Sequence, residues 1–440
     1  MRPSFRMFSL GILRRQRHSL AYAEILLTRA SPVIFTVFLA LAAAGKYMLV
    51  LRSDGGGDLL GADIPKSLIL LKGENPYSTQ PWAAPYPPFF LVVLGGIIRL
   101  TTSNPLSGQV PAALISRNIM VAGILADIST AAMIFLTLRA RGTSGLQLLV
   151  PASIFLLLPS ISITPYFFFH SDVFGYTILA GSLLAYEKRR SFLGSLMLGL
   201  SAIFKIHPLL AIPLMMVWLV RRDGLRRTVP SIFGASTVTG AGLVAPLFLP
   251  GYSGTVFGFN LSTGFGNGTG SFSVMDLFYG VLPSSLHISF DPFALNQLWV
   301  LATAALFVAA LGYIWVHART LSSVDVILIG LLVWLIPLRQ LYTHYVVWAM
   351  VPFLARGRAL QSVLAGGLLE LANTMAVWSW NIPPNPFPAM NTAYGFFVTS
   401  LVYFALNTTA LVCAVKTHTR ASQPIYEPSS GLERRFELSS

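Results

Sequence analysis

The sequence predicts an all-α, polytopic integral membrane protein with about twelve transmembrane helices, and three observations predict it. Of the 440 residues, 54% are hydrophobic and only 10% are charged, against the roughly 25% charged residues of a soluble domain. The mean hydropathy is +0.68. The 30 Lys and Arg residues fall largely in short clusters between apolar runs, as the positive-inside rule describes. Too few charges remain to cover a water-facing surface, which excludes a cytosolic enzyme. The formal net charge of +14 is then answered by anionic headgroups of membrane lipids, not by nucleic acid. The single cysteine, Cys413, lies inside an apolar run and leaves neither a disulfide framework nor a thiolate metal cluster.

Taken along the chain, residues 1–30 read as a cytoplasmic segment carrying Arg14, Arg15 and Arg17, ahead of an apolar run from Pro32 to Leu51 long enough to span about 30 Å. No small-residue cleavage pattern closes that run, so it reads as an anchor. Later basic clusters at Arg139/Arg141, Lys188 to Arg190, Arg221 to Arg227, Arg319, Arg356/Arg358 and Lys416/Arg420 all fit the cytoplasmic side. Between them, runs near 111–138, 145–163, 171–186, 229–250, 297–316, 359–380 and 392–415 read as single spans. Two intervals, Ser191 to Val220 and Val324 to Ala355, have basic clusters at both ends and must go out and return. Each half is about 22 Å long, shorter than the hydrocarbon layer, so the bends lie at membrane depth in a protein-lined cavity. The run from Pro87 to Leu100 is short and is read as re-entrant or interfacial. The transmembrane domain thus covers 31–415, with external loops at 52–86 and 251–296 and a cytoplasmic, disordered tail at 416–440.

Four of only 16 acidic residues, Asp54, Asp58, Asp63 and Glu74, crowd into the first external loop. Leu60, Ile64, Leu68 and Leu71 recur there at the spacing of a short amphipathic, interfacial helix. Asp58 stands at its N-terminal end, where an ionised carboxylate serves equally as a cap or as a base. The bends carry the other candidates: Lys205 and His207 in one, and Arg339, His344 and Tyr345 in the other. A mid-bend lysine costs roughly 2.5 to 3.5 kcal/mol on insertion scales, so Lys205 is paired, hydrated, functional or snorkelling to the interface. His207 is either a packed turn residue or a donor to phosphate. Arg339 and His344 suit phosphate binding or an external basic end, while Tyr345 also fits an aromatic belt. Asp172 caps a helix, orients Lys205 or His344, or binds substrate. Asp127 and Arg117, ten residues apart on one span, face each other poorly, are left to pair with other helices and are assigned no chemistry. No His, Cys or Asp cluster has metal-ligand spacing, so neither metal nor cofactor is expected.

Gly73-Glu74-Asn75-Pro76-Tyr77, then Pro85-Tyr86-Pro87-Pro88-Phe89, follow the acidic loop. In that order the features resemble glycosyltransferase family 87, polytopic mannosyltransferase-like enzymes of the GT-C superfamily. The resemblance continues at Phe169-His170-Ser171-Asp172, where His170-Ser171 replaces the Gly-Gln of the family pattern, and at Lys205-Ile206-His207-Pro208, which matches its Lys-x-x-Pro. It implies a GT-C-like fold and a polyprenyl-phosphate sugar as donor, with mannose or a related hexose transferred to an external lipid or glycan acceptor. It also implies catalysis on the outer face of the cell membrane. The family's acidic residue precedes the Gly-x-Asn-Pro-Tyr turn by about fifteen positions, which singles out Asp58 as general base in an inverting displacement. Asp63, Asn75, Tyr77, His170, Asp172, Lys205, His207, Arg339, His344 and Tyr345 are then the expected substrate-binding residues. The rival expectations are a secondary transporter and a ligase or polymerase acting on a lipid-pyrophosphate-linked glycan.

Overall fold

The computed structural model describes residues 4–53, 59–78, 88–102, 111–158, 172–250, 292–336, 345–379 and 393–421. Asp58, His170, Arg339 and His344 lie outside the described residues, as do positions 251–291 of the second loop and the tail from 422. All regular structure among the described residues is helical. Helix α1 is Ser4–Val50, and it runs unbroken through position 30, so the change of composition there marks no structural boundary. A π-helical turn Leu59–Asp63 leads into α2 (Ile64–Leu71). Next come α3 (Pro88–Thr101), α4 (Ala112–Ala140) and α5 (Gly145–Leu157). They are followed by α6 (Asp172–Glu187), α7 (Ser191–Phe204), α8 (Ala211–Asp223) and α9 (Leu225–Val244). The last five are α10 (Pro292–His317), α11 (Ser323–Leu335), α12 (Val346–Leu354), α13 (Ala359–Ser379) and α14 (Ala393–Ala421).

Four stretches are long and apolar enough to cross a membrane: Tyr22–Val50, Ala112–Ala140, Leu225–Phe248 and Val300–His317. The outer flank of α1 exposes Val33, Val37 and Leu41, each more than half exposed, and α10 exposes Leu298, Leu301 and Val316 likewise. Such apolar flanks are stable only against lipid or protein. The predicted short segment appears as α3, whose 14 residues reach about 21 Å. Both predicted hairpins appear as two short helices each, α7 with α8 and α11 with α12.

The basic clusters gather at one end. Arg139 and Arg141 close α4, Lys188 to Arg190 link α6 to α7, Arg221 and Arg222 close α8, and Arg356 and Arg358 link α12 to α13. Antiparallel neighbours joined by short loops must bring these positions to the same end. There Ser144 donates to Glu24, and the Gly145 amide donates to Thr28, anchoring the lower half of α1. The break after Phe204, the end of α11 and the start of α12, with Asp172 at the start of α6, therefore sit at the opposite end, about 24 Å away along 16 residues of helix.

Two close approaches dock the second hairpin, one on the first hairpin and one on α6. Gly330 of α11 lies so near Ala211 that a Cβ there would stand 2.5 Å from the Ala211 Cα. Gly175 of α6 leaves the space that the Trp348 indole fills. In the first loop the predicted apolar stripe is only partly turned inward. Ile64 is buried, but Leu60, Leu68 and Leu71 are half-buried, whereas Asp63, Lys66 and Ser67 are buried. The π-turn shifts the helical phase, since its bonds close five residues apart in place of four. A polar face of α2 is thereby presented to the protein.

Candidate functional site

Helix α7 stops at Phe204 because Lys205 adopts an extended backbone, φ −154° and ψ 138°, and Pro208 then starts a 3-10 turn, His207–Leu210. The break turns Lys205 inward, where its side chain is 4% exposed. Its Nζ lies 2.5 Å from Asp172 Oδ2 and 4.6 Å from the centre of the Tyr345 ring. Asp172 is the first residue of α6, where the helix dipole also favours a carboxylate. Its second oxygen, Oδ1, accepts the Trp348 indole N–H at 2.5 Å. The lysine is therefore paired and buried, which excludes snorkelling. Neither charge is stranded, and removing one partner of such a pair costs about 3 to 5 kcal/mol.

His207 packs on Tyr345, with ring centres 4.3 Å apart, and edge-on to Trp348 at 5.6 Å. Trp334 donates its indole N–H to His207 Nδ1 at 3.0 Å. An indole N–H only donates, so Nδ1 accepts and the proton of the neutral ring sits on Nε2. Nε2 is buried and has no hydrogen-bond partner among the described residues. The first bend and the facing ends of α11 and α12, more than a hundred residues apart in sequence, thus meet around one ring, and the buried Nε2–H has no acceptor among the described residues.

About one helical turn further into the bundle lies a second ion pair. Lys46 Nζ of α1 is 2.6 Å from Asp127 Oδ2 of α4, with both side chains at most 2% exposed. Tyr176 donates its hydroxyl to Asp127 Oδ1, and its ring packs edge-on to Trp348 at 6.3 Å. Asp127 thus pairs with another helix, as its sequence position allows, and Lys46 is the partner that the sequence does not name. The signal of the pair was present, since a lone lysine in the run from Pro32 to Leu51 and a lone aspartate in a neighbouring span each require a partner in hydrocarbon. Trp334 and Trp348 carried no such signal, because an indole in an apolar helix reads as packing.

The first loop approaches the same end through α3. Helix α2 packs on α3, and Phe89 at the start of α3 meets Phe204 edge-on at 5.0 Å, next to Lys205 in sequence. Asn75 is a structural clasp: its Oδ1 accepts the Tyr77 amide in an Asx turn, and its Nδ2 donates to the Pro250 carbonyl at 2.8 Å. Tyr77 is buried, and its ring lies 5.2 Å from Lys66 Nζ. That ammonium is 3% exposed as a residue and has no hydrogen-bond partner among the described residues. Burial pulls its pKa down to about 8, opposed in part by the neighbouring Asp63 carboxylate. Lys66 escaped the sequence reading because the phase shift that buries it leaves no trace in the apolar periodicity.

Of the predicted site residues, Asp172, Lys205, His207 and Tyr345 share one cluster. Asp63, Asn75 and Tyr77 belong to the adjoining first-loop element. Among the described residues no three His, Cys, Asp or Glu side chains gather as a metal ion requires. No protein-family model and no curated protein matches the chain.

Proposed function

We propose that the chain is a twelve-span, GT-C-like membrane glycosyltransferase. It moves a hexose, mannose or a close relative, from a polyprenyl phosphate to an external lipid or glycan acceptor. The observation that carries the reading is the pair of buried donors with no acceptor among the described residues, His207 Nε2–H and the Lys66 ammonium, near the ends of helices too short to span. An anionic lipid phosphate entering from the bilayer is the ligand such donors fit. The acceptor hydroxyl attacks the anomeric carbon and its proton passes to a first-loop carboxylate, Asp58 on the motif resemblance. The bond from the anomeric carbon to the phosphate oxygen breaks, and polyprenyl phosphate leaves with its charge. The phosphate needs no proton if His207 and Lys66 hold it, and general-base help supplies about 10²- to 10⁴-fold. Asp172 fixes Lys205, and Trp334 fixes the His207 tautomer, so the donors are oriented before the substrate arrives.

Purified protein given labelled polyprenyl-phosphate mannose and a glycan acceptor releases polyprenyl phosphate on this reading. Asp58→Asn abolishes the release, and His207→Phe lowers it by tenfold or more. A secondary transporter is the second reading, favoured by the intramembrane Lys46–Asp127 pair and the interrupted helix at Lys205. It predicts donor that stays intact during uptake into vesicles.

A further inference from the structure

We infer that the basic end of the bundle holds a second, separate lipid site, which takes one anionic diacyl phospholipid. A cavity of about 710 Å³ opens there, lined by Arg141, Glu187, Arg356, Arg358 and the first turn of α13. Glu187 pairs with Arg141 at 3.1 Å, and Asp325 pairs with Arg356 at 3.0 Å. Arg358 has no carboxylate among the described residues, so the cavity keeps one net positive charge, the complement of a phosphodiester. Residues 359–361, the opening turn of α13, line the same space, and a helix N-terminus favours an oxyanion.

An apolar cleft adjoins the cavity. Gln361 lines both, and the cleft, of about 270 Å³, lies between α11, α12, α13 and α14. That cleft passes Phe353, Met350, Leu364, Leu368 and Leu332, running about 12 Å inward from Gln361 along eight residues of α13. Asn407 of α14 is 3% exposed, lines the cleft, and has an Nδ2 with no hydrogen-bond partner among the described residues. An amide donor stranded on an apolar wall is costly unless something accepts from it. The arginines suit a charged head, and the apolar wall of the cleft suits an acyl chain. The site is about 24 Å from the His207 cluster along α6, so it is independent of the sugar donor.

Delipidated full-length protein in detergent is titrated with dioleoyl phosphatidylglycerol, dioleoyl phosphatidylcholine and glycerol 3-phosphate, with bound lipid counted by native mass spectrometry. Phosphatidylglycerol binds at least tenfold more tightly than phosphatidylcholine. Arg358→Gln, a change at an exposed side chain, weakens phosphatidylglycerol roughly fivefold and leaves phosphatidylcholine unchanged. Ala365→Trp fills the cleft and weakens both lipids. Equal binding of the two lipids, or an Arg358→Gln protein that binds phosphatidylglycerol as well as the parent, overturns the inference. Displacement of phosphatidylglycerol by an equal concentration of glycerol 3-phosphate also overturns it, by making this a site for soluble anions.

Discussion

Asp172 shows how one side chain organises the candidate site. It sits at a helix start, neutralises Lys205 and receives the Trp348 indole N–H, so each of its oxygens is committed. Asp172→Asn leaves a buried ammonium facing an amide, and destabilisation of about 3 to 5 kcal/mol is expected in unfolding measurements in detergent. Adding Lys205→Met removes the stranded charge and restores most of that loss; if the two changes simply add, the pair is not coupled. Lys66 gives a prediction in pH. Its folded-state pKa is about 8 against 10.5 unfolded, so between these values the unfolded chain binds the extra proton and stability rises with pH. Anion binding at Lys66 runs the other way, fading as pH climbs through about 8. A pH profile of donor KM that is flat in Lys66→Gln and rising in the parent checks it. Sequence revealed that Lys205 and Asp172 need partners. It offered Lys205 as one of several roles for Asp172, 33 residues away, but gave no sign of Trp348, which stands 176 residues from Asp172.

Among the helices, the two broken hairpins carry the arrangement. Their existence was legible: basic clusters at both ends of an apolar stretch too short for two full crossings force an early return. Their mutual docking was not, because it depends on small residues whose role is only spatial. Gly330 admits Ala211, and Gly175 admits the Trp348 ring. Gly175→Ala keeps every charge of the site but drives the indole off Asp172, and overpacking of this kind costs about 1 to 3 kcal/mol. A loss of transferase activity of tenfold or more, with the protein still eluting as a folded particle, is the expected outcome. Retained activity would show that the Trp348–Asp172 bond is dispensable. The first-loop helix makes the complementary point. Its existence follows from periodicity, but the π-turn at Leu59–Asp63 rotates its face and hides Lys66.

The bundle is polarised: basic clusters and their carboxylates at one end, the bends and the first loop at the other. The positive-inside rule makes the arginine-rich end the expected cytoplasmic one. With Cys413→Ser as background, Lys188→Cys is expected to react with a membrane-impermeant maleimide only after permeabilisation, and Ser78→Cys in intact cells. The reverse pattern would invert the topology and place the His207 cluster inside. That polarity was legible from charge alone, while the second ion pair arises from packing between helices and left only the lone Lys46 and Asp127 as traces. The most direct test of the account is a structure of the protein with polyprenyl phosphate bound. The account predicts phosphate oxygens within about 3 Å of His207 Nε2 and near Lys66, with the prenyl chain leaving between α3 and the bends. Phosphate density held elsewhere, with His207 Nε2 still enclosed by protein, would contradict it.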